Sequence, residues 1–461
     1  MNTEKCFSSH SLKPARKSGT RTIATAIGLA TLFFVLAVQP ATATTRCVNP
    51  GGSGGCYPTI SAAVAAASAG DTITVANGRY AEQVVITQSL SLLASAHVEI
   101  DATGKANGIF VNGMSAAPSA GVTGVYISGF TVANANFEGI LVANASDVSL
   151  VNNQVLYNDL ALNINSASCP GLPTTYETNE QEDCGEGIHL IAVDHSIVAN
   201  NVVSHNSGGI LITDETGPTS NNLITGNTVR NNPYDCGITI ASHGRASTVS
   251  PGLSFGITNL TISGNDSSYN GNLLPGAGAG VGIFAPFPGT TAADIVVINN
   301  DLHNNGLPGV TMHNHAGGGP PVNMNNNLIV GNRISGNGVD TDDAATPGTT
   351  GINIFSVTPV TGTVIAQNVI SDEQLDIAFN APSGQINAHL NSFGGREIGV
   401  DNLGSGSIDA TENWWGCPAG PTGSGYSCST VAGVGIVYTP WLTSPFGGGA
   451  PSSDGFGRGG H

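Results

Sequence analysis

The chain has 461 residues, 63 of them glycine, with only 10% charged side chains and a formal net charge of −18. So acidic a surface repels nucleic acid and anionic lipid, which excludes both as expected partners. A hydrophobic content of 40% excludes general disorder.

Residues 1–43 read as a targeting segment. Lys13, Arg16, Lys17 and Arg21 form a basic stretch, an apolar run follows from Ile23 to Val38, and Ala41-Thr42-Ala43 offers a small-residue cleavage site. That run is short for a membrane span and no second candidate follows, so the expected product is an exported protein, periplasmic, secreted or at the cell surface, with no integral membrane segment. Removing the segment lowers the basic residues from 13 to 8 and the acidic ones from 31 to 30, a net charge near −22.

Residues 44–70 form an N-terminal cap. Ile60, Ala63, Val64 and Ala67 fall on one face of a short amphipathic helix starting near Thr59 and stopped by Gly70-Asp71. Strands begin at Thr72 and Gln83. From there a phrase recurs, an Asn followed shortly by Val or Ile, as in LVNNQVLYN from Leu150, LITGNTVRNN from Leu223 and LIVGNRISGN from Leu328. A second phrase, Gly-Ile-x-Ile or a close variant, recurs at Gly139, Gly187, Gly209, Gly237, Gly309 and Gly351.

The second Asn of the first phrase marks the register at Asn153, Asn201, Asn227, Asn265, Asn300, Asn332, Asn368, Asn391 and Asn413. The shortest intervals are 23 residues (Asn368 to Asn391) and 22 residues (Asn391 to Asn413). Apolar runs of three to five Val- and Ile-rich residues in each interval are too short for helices and read as strands. Units so short must stack to bury their apolar faces. The expected fold is all-β, a single-stranded right-handed parallel β-helix of about ten to twelve coils with three short strands each, at the usual spacing of roughly 4.8 Å. The Asn side chains are expected at bends, tolerating positive φ and bonding coil to coil as a ladder. One elongated domain over 44–445 is expected, closed by a C-terminal cap at 412–445 carrying Trp414, Trp415 and Trp441 and followed by a flexible glycine-rich tail at 446–461.

Seven cysteines follow the targeting segment. The close pairs Cys47/Cys56, Cys169/Cys184 and Cys417/Cys428 read as local disulfides in an exported protein, and Cys236 is left over. Insertions enter at two loci. The first, between the Asn and Gly-Ile phrases, holds 159–186, 267–281 and 337–350. The second, after the Gly-Ile phrase, holds 214–221, 242–257, 285–293 and 313–326. Loops emerging at one locus on successive coils can wall a binding groove.

The candidate chemistry sits there. Asp214-Glu215 follows a Gly-Ile strand directly, and His243 and Arg245 occupy the same locus one coil later, a group suited to acid–base work and sugar orientation. His313 and His315 alternate on an extended segment and can share a face toward a metal ion. The acidic residues Asp340, Asp342 and Asp343 and the stretch Glu177 to Glu186 are candidate calcium holders.

The stretch PTISAAVAAASAGDTITVANGRYAEQVVI, Pro58 to Ile86, resembles the opening shared by many pectin-lyase-like right-handed β-helix proteins, in which Tyr80 and Glu82 would be structural. The resemblance covers essentially the whole chain after residue 43 and implies the fold. It does not choose an activity, because no enzyme signature is complete: Asp342-Asp343 and Ser242-His243-Gly244-Arg245 match only fragments of the polygalacturonase motifs. The expectation is a monomeric exported β-helix that binds a polysaccharide or cell-surface glycan along the loop-walled face and, if an enzyme, cleaves it as a lyase or hydrolase. The alternatives are a non-enzymatic structural rod and a NosD-like periplasmic metal-associated protein.

Overall fold

A computed structural model describes residues 43–164, 184–243, 254–422 and 428–446. The targeting segment up to residue 42 and the tail beyond Phe446 lie outside the described residues. Ala43 onward forms one unit, a right-handed parallel β-helix.

Every ladder between the described strands is parallel; most strands fall into three stacked faces, and Thr219–Ser220, Ile257–Thr258 and Ala292–Ala293 add a short ladder between two of them. Face A runs from Val84–Ile86 and Ile109–Asn112 through Ile210–Thr213, Ile238–Ala241, Val281–Phe284 and Val310–Asn314 to Thr350–Ser356, Leu375–Asn380, Ile398–Asn402 and Thr430–Gly433. Face B begins with Thr45–Val48, Asp71–Val75 and the first half of Leu90–Asp101. Face C begins with Gly78–Tyr80 and continues through Thr228–Arg230, Asp301–His303 and Val369–Ser371. Alternation sends every second side chain inward, so on face A Ile210, Ile238, Val281, Val310 and Ile352 form one fully buried column and Ile212, Ile240, Ile283, Met312 and Ile354 another. Each such side chain contributes roughly 1.5–3 kcal/mol by leaving water, and one contiguous core extends from Val48 to Trp415.

The two Asn roles expected at one position are divided between neighbours. The residue before each ladder Asn takes the left-handed conformation: Asn152, Asn200 and Asn299 have φ of 58°, 56° and 56°, and Gly226, Gly264 and Gly331 do the same without a side chain. The following Asn turns inward and is buried. Asn265 accepts from the backbone N–H and Nδ2 of Asn227 at 2.9 and 3.0 Å, and donates to Ile224 O at 3.0 Å and Asn300 Oδ1 at 2.9 Å. The same pattern links Asn153 through to Asn413. A second ladder at the next corner joins Asn158, Asn206, Asn232, Asn270, Asn305 and Asn337 and ends on Glu373. These ladders satisfy the backbone and amide groups that three sharp bends per coil would strand in the interior.

The repeated Gly-Ile glycine has a different reason to be glycine. A Cβ at Gly209 would lie 2.1 Å from Gly237 O and 2.3 Å from Val229 Cγ1, so the coils stack here only because no side chain intervenes.

The head helix covers Ile60–Ala66 and stops at Ala67, before the expected Gly70-Asp71, because Ala67 is already extended. It buries Ile60, Ala63 and Val64 over the first coil. Glu82 caps its N-terminus, accepting from Ile60 N at 2.8 Å and Ser61 N at 2.9 Å.

The Cys47–Cys56 and Cys417–Cys428 disulfides lie at the two ends. Of the third expected pair, Cys169 lies outside the described residues, so the Cys169–Cys184 bridge is not among the described disulfides as those two are. Cys184 itself is buried in a small apolar cluster with Phe110, Phe137, Leu141 and Ile191, and its sulfur is disulfide-bonded. Cys236 is a free, buried thiol. At the far end Trp415 is fully buried with its ring 5.0 Å from that of Phe393, Trp414 is buried, and Trp441 packs against the core and donates to Pro418 O at 3.3 Å.

Candidate functional site

On faces B and C the outward side chains are mostly part-exposed, whereas on face A they are nearly all buried. Leu211, Thr239, Thr311 and Asn353 form one outward row, and Thr213, Ala241 and His313 lie in the next, all shielded from solvent. The outer surface of face A, flanked by both insertion loci, is therefore covered, where the sequence suggested an open groove.

Asp214, Glu215 and His243 meet just past the ends of the strands Ile210–Thr213 and Ile238–Ala241, because Thr213 pairs with Ala241. His243 Nδ1 lies 2.9 Å from Glu215 Oε1. Asp214 accepts from the His243 backbone N–H at 2.8 Å, from Gly256 N at 2.5 Å and from Ser242 Oγ at 3.2 Å. Two residues that the sequence reading passed over extend the group. His189 places Nε2 3.2 Å from Thr213 Oγ1 and Nδ1 3.4 Å from Glu138 Oε1. All five titratable side chains are buried. Arg245 lies outside the described residues.

The two adjacent carboxyls are pushed in opposite directions. Burial, reinforced by the charge of Glu215, raises Asp214 to about 7 against the pull of the Gly256 and His243 N–H groups. Burial also acts to raise Glu215, but the hydrogen bond and charge of His243, with His189 and Thr213, outweigh it and hold this carboxyl below its ordinary value. Glu138, fully buried, is raised by its burial.

A second group lies two coils further along face A, since Ala241 pairs with Phe284 and Phe284 with His313. His313 Nε2 is 2.7 Å from Asp340 Oδ2, which also accepts from Thr311 Oγ1 at 3.0 Å and Asn353 Nδ2 at 2.9 Å. Asp343 accepts from Asn380 Nδ2 at 2.8 Å. His315 Nε2 lies 3.3 Å from His313 Nδ1. Asp342 completes a cluster in which one potential ligand atom of each of His313, His315 and Asp342 lies within 4.8 Å of the others. The loop 337–350 of the first locus thus reaches over to the strand end at the second. Elsewhere on the first locus, Asp159, Leu162, Asn163, Ile164 and Tyr234 line a cavity of about 280 Å³, where burial raises Asp159 to about 6. Of the acidic stretch Glu177 to Glu186, residues 177–183 lie outside the described residues, and Glu186 is buried.

Residues 45–271 match a family described as a protein of unknown function (DUF1565). Among solved structures, the catalytic unit of the GH87 α-1,3-glucanase from Streptomyces thermodiastaticus aligns over 88% of this chain and 70% of its own, at 17% identity and a TM-score of 0.51. The Dettilon tailspike protein aligns over 79% of this chain and 62% of its own, at 12% identity and a TM-score of 0.51. An alginate lyase from Paenibacillus covers 85% of this chain and 99% of its own, at 12% identity and a TM-score of 0.43. These likenesses show the fold, a right-handed parallel β-helix. No curated protein matches the sequence. At such identities the likeness concerns the fold, and one fold carries too many different chemistries to assign one here.

In this chain the two overlooked residues left a faint trace in the repeat. The x of Gly-Ile-x-Ile is the outward position of face A, and reading that column gives Leu141, His189, Leu211, Thr239, Thr311 and Asn353. A histidine there is conspicuous. Its contact with Glu138 and the reach of Asp340 to His313 depend on loops whose path no repeat records. Among the described residues no helix is long and apolar enough to cross a membrane.

Proposed function

We propose that this protein is an exported β-helix that recognises a polysaccharide along its loop-walled side and acts on it through the Asp214–Glu215–His243 group. The observation that carries the reading is the meeting of two adjacent carboxyls and an imidazole at one strand end, with His243 Nδ1 2.9 Å from Glu215 Oε1 and Asp214 accepting from the His243 and Gly256 N–H groups, surroundings that push the two carboxyls in opposite directions. Such a pair keeps one carboxyl able to hold a proton at neutral pH beside another that stays ionised, the division of labour that general acid–base cleavage of a glycosidic bond uses. In this assignment Asp214 is the proton donor, Glu215 the stabilising carboxylate, and His243 the group that keeps Glu215 charged. Export is supported by the N-terminal sequence and by disulfides at both ends. The similar folds of a glucanase and a tailspike accord with a carbohydrate partner. Calcium is the ion expected to bridge so acidic a chain to a uronate glycan.

The test is a panel of neutral and uronate glycans, with and without calcium, scored separately for binding and for new chain ends. The reading expects cleavage by the native chain, lost by at least 100-fold in Asp214→Asn and Glu215→Gln while glycan binding persists. The burial of all five titratable side chains favours a second reading, in which the network fastens loops to a structural rod. Absence of both binding and cleavage in the native protein would establish that alternative.

A further inference from the structure

The geometry points to a divalent transition-metal site formed by His313 Nδ1, His315 Nε2 and the Asp342 carboxylate, with Asp340 as its positioning residue. This inference stands apart from the glycan reading, because the site lies two coils, roughly 10 Å by interstrand spacing, from the Asp214–Glu215–His243 group.

Asp340 orients the cluster from beneath His313. It is buried, and its Oδ2 accepts from Thr311 Oγ1 and Asn353 Nδ2 and lies 2.7 Å from His313 Nε2. With two other donors already on that oxygen, the 2.7 Å contact fixes the His313 ring with Nε2 on Asp340 and Nδ1 turned toward His315. Nδ1 faces His315 Nε2 at 3.3 Å. Two nitrogens bound at 2.0–2.1 Å to one tetrahedral ion would stand about 3.3–3.4 Å apart, so this pair already has the separation that shared ligation requires. Asp342 brings a carboxylate to the same point from the opposite loop.

The Asp340–His313 contact repeats the carboxylate–histidine–metal arrangement in which an outer carboxylate fixes ring orientation and raises ligand basicity. Phe355 packs against both rings, at 5.6 Å from His313 and 4.7 Å from His315, and restricts their rotation. Two imidazoles and one carboxylate favour zinc or copper over calcium and magnesium, which take oxygen ligands. His315 and Asp342 are exposed, so water or a ligand can take the fourth position.

The test is calorimetric titration of the chelator-treated, disulfide-intact chain with zinc chloride, cupric chloride and calcium chloride in a non-coordinating buffer. The expected result is one zinc or copper ion per chain. His315→Ala and Asp342→Ala each lower that affinity by 100-fold or more. Asp340→Asn lowers it 10- to 100-fold, the range for an outer-shell partner, while keeping an acceptor for His313. Far-ultraviolet dichroism and the melting midpoint without metal verify that each variant is folded, and Asn272→Ala, on an exposed loop, serves as the unaffected control. Failure of zinc and copper to bind the native chain, or equal affinity in the folded His315→Ala and Asp342→Ala variants, overturns the assignment. Cleavage of glycan plays no part in the readout, so failure here leaves the polysaccharide reading untouched, and the reverse also holds.

Discussion

Replacing Glu373 with Gln should stabilise the protein, and more so as the pH rises. Glu373 ends the second ladder, where its Oε1 accepts from the backbone N–H of Asn337 at 2.8 Å and from Asn337 Nδ2 at 3.0 Å. Its other oxygen is buried without a hydrogen bond. Burial pushes this carboxyl up to about 8, against the hydrogen bonds of Asn337 and Thr349 that favour the charge. The folded state therefore holds the proton more tightly than the unfolded state. Protonation contributes stability that is complete below the unfolded value near 4.5 and is lost as the pH climbs through 8. At about 1.4 kcal/mol per unit, the loss across that window is at most roughly 5 kcal/mol, less where the coil relaxes to admit water. Gln keeps the carbonyl that Asn337 needs and cannot ionise. Urea unfolding of both chains at pH 5 and pH 8 should give nearly equal midpoints at pH 5 and a clearly higher midpoint for Glu373→Gln at pH 8. Nearby Asp376 and Glu397 are also raised by burial, so the native slope alone decides nothing, and the difference between the two chains is the quantity to read. A gain independent of pH, or a loss at pH 8, would refute the reasoning.

Two further substitutions test the scaffold. Asn300→Ala removes four hydrogen bonds, to Asn265 N, Asn265 Nδ2, Ile262 O and Asn332 Oδ1, and leaves buried groups unpaired; at roughly 1–3 kcal/mol per stranded group the cost should reach about 4 kcal/mol. The adjacent exposed Asn299, with φ of 56°, should cost only about 1–2 kcal/mol as Ala, so equal losses in thermal melts would contradict the ladder. Gly209→Ala, whose Cβ would collide with Gly237 O, should lose about 3 kcal/mol or fail to fold. Gly264→Ala meets nothing within 4 Å and should lose only about 1 kcal/mol from its φ of 64°, which expression yield and melting temperature will separate.

Legibility followed locality. The interval between ladder Asn residues, the alternation of each short strand and the glycine column are all written within one coil, and stacking repeats them. From Gly237 and Gly309 alone, His243 and His315 can be placed at the same edge two coils apart, because strands in one stack keep a common register. The division of labour within the Asn pair was harder to see. Asn suits both the left-handed bend and the ladder, and only Gly226, Gly264 and Gly331 at the first position hint that the bend residue needs no amide.

What the amino-acid sequence determined by itself is the rod: three short strands per coil, parallel stacking, a helical cap and two places where loops depart. Its reason is energetic, since a unit too small to bury its own apolar residues has no other way to hide them. Tertiary structure decided which side chains from those loops meet. Asp340 reaches His313 from 27 residues away, Glu138 reaches His189 across 51, and both contacts depend on irregular backbone with no period to follow. Only the folded chain shows that the outer side of face A is covered, because the burial of Thr213, His243 and His313 is a property of neighbouring coils and loops together and of no single repeat.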